Sequence, residues 1–176
     1  MSEQKSEKPI HKSVTVGRRL FELALISLSV FATGLIGSLA TIPNIPIWYE
    51  ALNKPVFNPP NWVFGPVWTI LYLLMIGACW RVLNKARGTP KTKWLIAVFA
   101  LQLFFNALWP VVFFGMHETG LSIPAVIALD LSVYATLAIF LSVDRLAGLS
   151  LVPYAVWVSF ASAINIAVYW LNRAVY

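Results

Sequence analysis

Cysteine is nearly absent from this chain: Cys79 stands alone in 176 residues. A lone thiol closes no intrachain disulfide and builds no thiolate metal cluster. Histidine is almost as scarce, with His11 and His117 only, and no Cys, His, Asp or Glu grouping has metal-ligand spacing. No Ser–His or Cys–His pair falls within an apolar stretch, so a hydrolytic centre is not expected. A glycine-rich phosphate loop is also missing. Charge is thin, since Asp, Glu, Lys and Arg together make 11% of the chain. A soluble domain of this length could not cover the apolar remainder. The net charge of +6 invites a nucleic-acid reading. The basic residues flank apolar runs instead of forming a stripe, which points to orientation and anionic lipid and away from nucleic acid.

What is present is apolar: 59% of the residues, gathered in five runs at about residues 20–40, 62–83, 94–115, 121–143 and 149–171. A helix of about 20 residues rising ~1.5 Å per residue crosses a ~30 Å hydrocarbon core. The runs are continuous and do not alternate, which excludes a β-barrel pattern. The predicted fold class is therefore an all-α membrane protein, a bundle of five transmembrane helices. Residues 1–19 read as a polar, basic, mobile tail, and residues 20–176 as the membrane domain. Arg18 and Arg19 before an apolar run, with Ser38-Leu39-Ala40 after it, resemble a secretory signal. The run is long for a signal, so it is read as a retained span.

Basic residues orient the bundle. Lys5, Lys8, Lys12, Arg18 and Arg19 precede the first run. Arg81, Lys85, Arg87, Lys91 and Lys93 lie at or between the second and third, and Arg145 between the fourth and fifth. Five spans place all of these on one side and leave Lys54 and Arg173 on the other. The positive-inside rule then predicts a cytoplasmic N-terminus and an external C-terminus.

The connections differ in character. Residues 41–61 carry Pro43, Pro46, Pro55, Pro59 and Pro60 among Trp48, Tyr49 and Phe57. Proline fixes φ and removes a donor, so this loop is expected to be stiff, mostly non-helical and lid-like. Small residues at Thr33, Gly37 and Thr41, and at Gly34 and Ser38, read as a close helix-packing seam.

Two acids fall inside spans. Glu22 can reach the interface. Asp130 lies near the middle of span four, where an ionised carboxylate is costly without a partner. It reads either as a proton or ligand contact or as an acid bonded to hydroxyls of a neighbouring helix. The stronger signal is aromatic: 8 Trp, 6 Tyr and 11 Phe. Phe64, Trp68 and Tyr72 recur every four residues on one helix face. Gln102, Asn106, Trp109 and Phe113 form an amide–aromatic stripe, and Tyr154, Trp157, Ala161, Ile164 and Asn165 form another. Membrane amides favour the bundle interior, so these faces should point inward. They suit either a pocket for a flat, mostly apolar ligand or a packed core with interhelical amide bonds.

The wording of three segments resembles a known family. These are Trp48-Tyr49-Glu50-Ala51-Leu52-Asn53-Lys54-Pro55 with Asn58-Pro59-Pro60-Asn61-Trp62-Val63-Phe64, Trp68, Leu71 and Tyr72; then Gln102 to Trp109 with Phe113-Phe114-Gly115; then Val152-Pro153-Tyr154-Ala155-Val156-Trp157 with Asn165. In this order they resemble the TspO/MBR family, the tryptophan-rich sensory proteins of bacteria and the translocator proteins (peripheral benzodiazepine receptors) of mitochondria. The resemblance runs from about residue 24 to 172. It implies a five-helix bundle, a homodimer, and an interior pocket under the first loop. The implied ligands are porphyrins such as protoporphyrin IX, synthetic isoquinoline-carboxamides and benzodiazepines, and in animals a sterol. Carried over by motif, the implied ligand-binding residues are Trp48, Tyr49, Pro59, Trp68, Tyr72, Asn106, Trp109, Phe113, Trp157 and Ala161. The inward faces add Phe64 and Asn165.

The function implied is a sensor or carrier in tetrapyrrole homeostasis or stress response. Light-dependent porphyrin degradation is the alternative, with Trp68 and Trp157 as its candidate residues, and porphyrin or sterol transport is another. No cofactor is required, the porphyrin being a ligand, and the setting is a bacterial cell membrane or a mitochondrial outer membrane. The chain departs from the family at Phe57, where tryptophan is usual before the Pro-Pro pair. Its sterol-type motif has Tyr169 and Arg173 but isoleucine at the upstream positions. A small-residue dimer seam on span three is not evident.

Overall fold

The computed structural model describes residues 11–174; the first ten residues of the predicted tail lie outside it. Among the described residues every regular element is helical, and five helices are long and apolar enough to cross a membrane. The elements are α1 (His11–Thr41), α2 (Asn61–Lys85), α3 (Lys91–Pro110), α4 (Ser122–Val143), α5 (Arg145–Ser150) and α6 (Val152–Asn172). Segments α5 and α6 together make the fifth span.

Three boundaries differ from the sequence reading. First, α1 begins at His11, so residues 11–19 of the predicted tail are helical. No proline interrupts them, and Arg18 Nε bonds Glu22 Oε1 at 3.0 Å across one turn, a spacing that supports a helix. Second, the loop after α1 is helical for half its length. A 3-10 turn (Ile42–Asn44) and a π-helical turn (Ile45–Tyr49) continue the chain before it turns extended. Pro43 and Pro46 sit at the first positions of these turns, where a missing N–H costs little. Third, the predicted connection 144–148 is mostly the helix α5. Asp144 caps it: its Oδ1 accepts from the Ala147 backbone N–H at 2.9 Å.

Around the bundle, α1 packs on α2 and α3, α3 on α4, α4 on α6, and α5 on α2. The outer face of α1 presents Leu28, Phe31, Leu35 and Leu39, all exposed in the isolated chain, as a lipid-facing stripe. At the basic end, ion pairs tie the helices together. Arg87 grips Glu22 with two nitrogens, joining the turn after α2 to α1. Arg81 Nε lies 2.9 Å from Asp144, and Lys85 Nζ 3.5 Å away, joining α2 to α5.

The Arg81 hydrogen bond, then the Ala147 N–H, hold the Asp144 carboxyl down at about 2, against a usual 3.8. A depressed folded-state value contributes stability above the unfolded value and loses it as pH falls through the folded one. Asp144→Asn should therefore lower the melting temperature in detergent by several degrees at pH 7. The gap to wild type should shrink between pH 4 and 2. A gap independent of pH would assign the loss to capping alone.

Candidate functional site

The loop end of α1 and α2 frames a cavity of about 420 Å³. Phe64, Gly65, Trp68, Thr69 and Tyr72 supply its α2 wall, one helix face at spacings of three and four. Gly34, Gly37, Ser38 and Thr41 supply the α1 wall, and Asn106, Trp109 and Pro110 the α3 floor. Tyr49 and Phe114 close the loop end. Exposed Ile42 and Trp62 lie on the rim, so the cavity opens between α1 and α2.

Helix irregularities shape it. Pro110 has no N–H to return to the Asn106 carbonyl, and the π-helical turn Val111–Gly115 follows directly. That wider turn carries Phe113 and Phe114 into the core, where both are buried. Gly34 permits a close approach: a Cβ there would stand 2.6 Å from the Tyr72 ring. The small residues read as a helix seam are thus also a cavity wall.

Polar groups on and behind the floor bond to one another, except Gln102 Nε2, which is buried without a partner. Tyr72 donates its hydroxyl to Asn106 Oδ1 at 3.3 Å, and Asn106 Nδ2 donates to the Tyr154 hydroxyl at 2.8 Å. Tyr154 in turn donates to Gln102 Oε1 at 2.9 Å. Trp109 Nε1 donates to Asn165 Oδ1 at 2.8 Å, and Asn165 Nδ2 reaches the Thr119 carbonyl at 3.4 Å. The amide stripes therefore divide by depth. Asn106 and Trp109 face the cavity, while Gln102 and Asn165 bond helix to helix behind it.

The predicted residues divide accordingly. Tyr49, Phe64, Trp68, Tyr72, Asn106 and Trp109 line the cavity. Trp48, Pro59, Phe113, Trp157, Ala161 and Asn165 do not. Trp48 stacks on His117, centroids 4.6 Å apart and 14° from parallel, and meets Phe113 edge-on. His117 holds a left-handed φ of 60° and pairs with Asn44 Oδ1 at 2.9 Å. Ala161 is buried within the bundle. Pro59 serves the loop: its carbonyl accepts from Asn58 Nδ2 at 3.1 Å, while Asn58 Oδ1 accepts from Tyr49 at 2.6 Å. Lys54 Nζ caps three loop carbonyls, and Asn53 exchanges two 2.9 Å bonds with Asn172 of α6. The loop is therefore braced internally and tied to the bundle at Asn44 and Asn53 by hydrogen bonds that no periodicity announces.

Trp157 lines a second space. It is a groove of about 480 Å³ between α2 and α6, walled by Val67, Leu71, Pro153, Val156, Trp157 and Phe160. The Trp157 ring lies 5.8 Å from Phe64 and its indole N–H is buried without an acceptor.

Asp130 is away from both spaces. Ser159 and Ser162 of α6 donate to its two oxygens at 3.2 and 2.5 Å, and Tyr134 joins Ser159 at 2.9 Å. This is the hydroxyl-bonded alternative, a clasp between α4 and α6. Asp130→Asn should keep the fold and leave ligand affinity within about twofold, because an amide still accepts from one serine and can donate to the other. A large loss of thermal stability in detergent would show that the carboxylate's charge is needed. Among the described residues no group of three or more His, Cys, Asp or Glu could hold a metal ion.

Five apolar helices around an aromatic-walled cavity define a multi-pass integral membrane protein. The model of the TspO/MBR family matches residues 25–171, and the chain belongs to that family. It is 38% identical over 150 residues to Protein CrtK of Rhodobacter capsulatus, covering 85% of this chain and 94% of that one. It is 38% identical over 156 residues to the tryptophan-rich protein TspO of Archaeoglobus fulgidus, covering 87% and 98%. The human translocator protein is 33% identical over 127 residues, covering 72% of this chain and 75% of that one.

Proposed function

We propose that this protein binds porphyrins, with protoporphyrin IX as the type ligand, and related flat apolar molecules in the α1–α2 cavity, acting as a sensor or carrier in tetrapyrrole homeostasis or stress response. The observation that carries the reading is the wall itself. Trp68, Tyr72, Trp109 and Phe64 present aromatic surface around a space with few polar groups. Aromatic walls stack on planar ligands, and a few fixed polar atoms orient them. The Tyr72–Asn106 pair offers such a contact at the floor. No side chain around the cavity has the acid–base or nucleophile geometry of a hydrolase, which favours binding over hydrolytic turnover.

Gly65 provides the test. It lines the cavity, and a Cβ added there meets nothing within 4 Å. Gly65→Leu should fold normally and fill the cavity. Titration of the purified protein with protoporphyrin IX, followed by tryptophan quenching, should show saturable binding in the wild type and at least tenfold weaker binding in the variant. Equal binding by both would move the ligand elsewhere; no saturable binding by either would end the proposal.

A further inference from the structure

On the outer surface of the bundle, two exposed tracks lead from the α2–α6 groove to the basic end. On α2, Ile70 lines the groove, and Leu73, Gly77 and Arg81 follow it at spacings of three and four, all exposed. Helical residues so spaced share a face. A Cβ added at Gly77 meets nothing within 4 Å, so this track is open along its length. On the fifth span, Val156 lines the groove, and Val152, Leu149 and Arg145 precede it at the same spacings, again all exposed. Both tracks begin on apolar side chains and end on an arginine. Their ends are joined where α5 packs on α2, by the 2.9 Å bond from Arg81 Nε to Asp144, the residue before Arg145.

The joined end carries spare positive charge. Arg81 spends only Nε on Asp144; its two terminal nitrogens have no acceptor among the described residues. Lys85 Nζ stands 3.5 Å from the other Asp144 oxygen and is more than half exposed. Arg145 forms no ion pair among the described residues. Three cations therefore share one carboxylate, which leaves two positive charges uncompensated. Length supplies the last observation. The 14 residues from Val67 in the groove to Arg81 rise ~21 Å at ~1.5 Å per residue. One bilayer leaflet with its headgroups is about 20–22 Å deep. A lipid phosphate at Arg81 thus places the end of an acyl chain at the groove.

We propose that this face holds one anionic phospholipid. Its phosphate is bound by the terminal nitrogens of Arg81 together with Lys85 and Arg145, and an acyl chain runs past Gly77 into the α2–α6 groove. A guanidinium presents paired donors that match two phosphate oxygens. Basic pockets between helices at this depth suit anionic headgroups. A zwitterionic headgroup brings a cation of its own among these three and is disfavoured.

The test uses the full-length protein in detergent, with phosphatidylglycerol and phosphatidylcholine of identical acyl chains, and counts retained lipid by native mass spectrometry. The wild type should hold phosphatidylglycerol at least tenfold more tightly than phosphatidylcholine. The double variant Lys85→Gln/Arg145→Gln keeps the Arg81–Asp144 bond and should bring that ratio below threefold. Gly77→Phe puts a ring in the open track and should weaken both lipids at least fivefold. Equal retention of the two lipids by the wild type overturns the proposal, as does a double variant with the wild-type preference. Inorganic phosphate that raises the melting temperature as much as phosphatidylglycerol does would make the cluster a plain anion site and overturn the lipid reading. Unchanged retention in Gly77→Phe overturns the acyl path; a fall in oligomer mass alongside it would give the face to a second copy of the chain.

Discussion

Trp68→Leu should weaken binding of protoporphyrin IX at least tenfold. Its indole forms part of the α2 wall of the cavity, its centroid 5.4 Å from that of Tyr72 with the planes tilted by 34°. Removing it deletes apolar area worth ~25 cal/mol per Å² and an aromatic contact worth about 0.5–1.5 kcal/mol beyond that. Tenfold in affinity is ~1.4 kcal/mol, so the sum reaches it comfortably. Trp157→Leu should weaken that binding much less, because its ring lines the α2–α6 groove and not the cavity. Trp94, 73% exposed at the start of α3, is the control, and Trp94→Leu should leave binding unchanged. Quenching titrations of the three variants give the comparison. If all bind alike, the aromatic stripes are packing and the cavity is not the site.

Gly148→Val should destabilise the bundle by about 1–3 kcal/mol, since its Cβ makes the closest approach to backbone of any glycine. A Cβ at Gly148 would stand 2.6 Å from the Leu141 backbone nitrogen and against the Leu141 side chain. A backbone atom cannot turn aside as a side chain can, so α5 must shift off α4. Overpacking of this kind costs about 1–3 kcal/mol, which lowers the melting temperature by roughly 2–4 °C per kcal/mol in a chain of this size. The Arg81–Asp144 pair at the start of α5 would be strained with it. Gly77→Ala is the counterpart: nothing lies within 4 Å of its Cβ, and alanine favours the helix by about 1 kcal/mol. Thermal unfolding in detergent should separate the two in opposite directions. A Gly148→Val protein as stable as wild type would mean that α4 and α5 approach less closely than their backbones indicate.

Much of this protein was legible in its sequence because the membrane imposes simple rules. Apolar run length counts the spans, and backbone hydrogen bonding in lipid demands helices. The every-four spacing of Phe64, Trp68 and Tyr72 named the wall of the cavity, since a helix repeats its face at that interval. Asp130, without a cation in reach of its span, left two readings open, and Ser159 and Ser162 supply the hydroxyl partners of one of them. Prolines misled at the loop. They were read as helix breakers, yet Pro43 and Pro46 stand where a turn begins and no donor is needed.

The sequence by itself determined the class: five apolar helices, the order of their motifs, and which faces turn inward. Only the tertiary structure decided which inward residues meet empty space and which meet one another. Trp68 and Trp157 carry the same ring on inward faces, but one lines the α1–α2 cavity and the other the α2–α6 groove. Asn106 and Asn165 are the same amide, but one reaches the cavity and the other bonds Trp109 in the core. Periodicity records the direction of a side chain from its own helix axis. It carries no record of how far away the facing helix stands, and that distance is set by glycines such as Gly34, by the turn after Pro110 and by the ion pairs at the basic end.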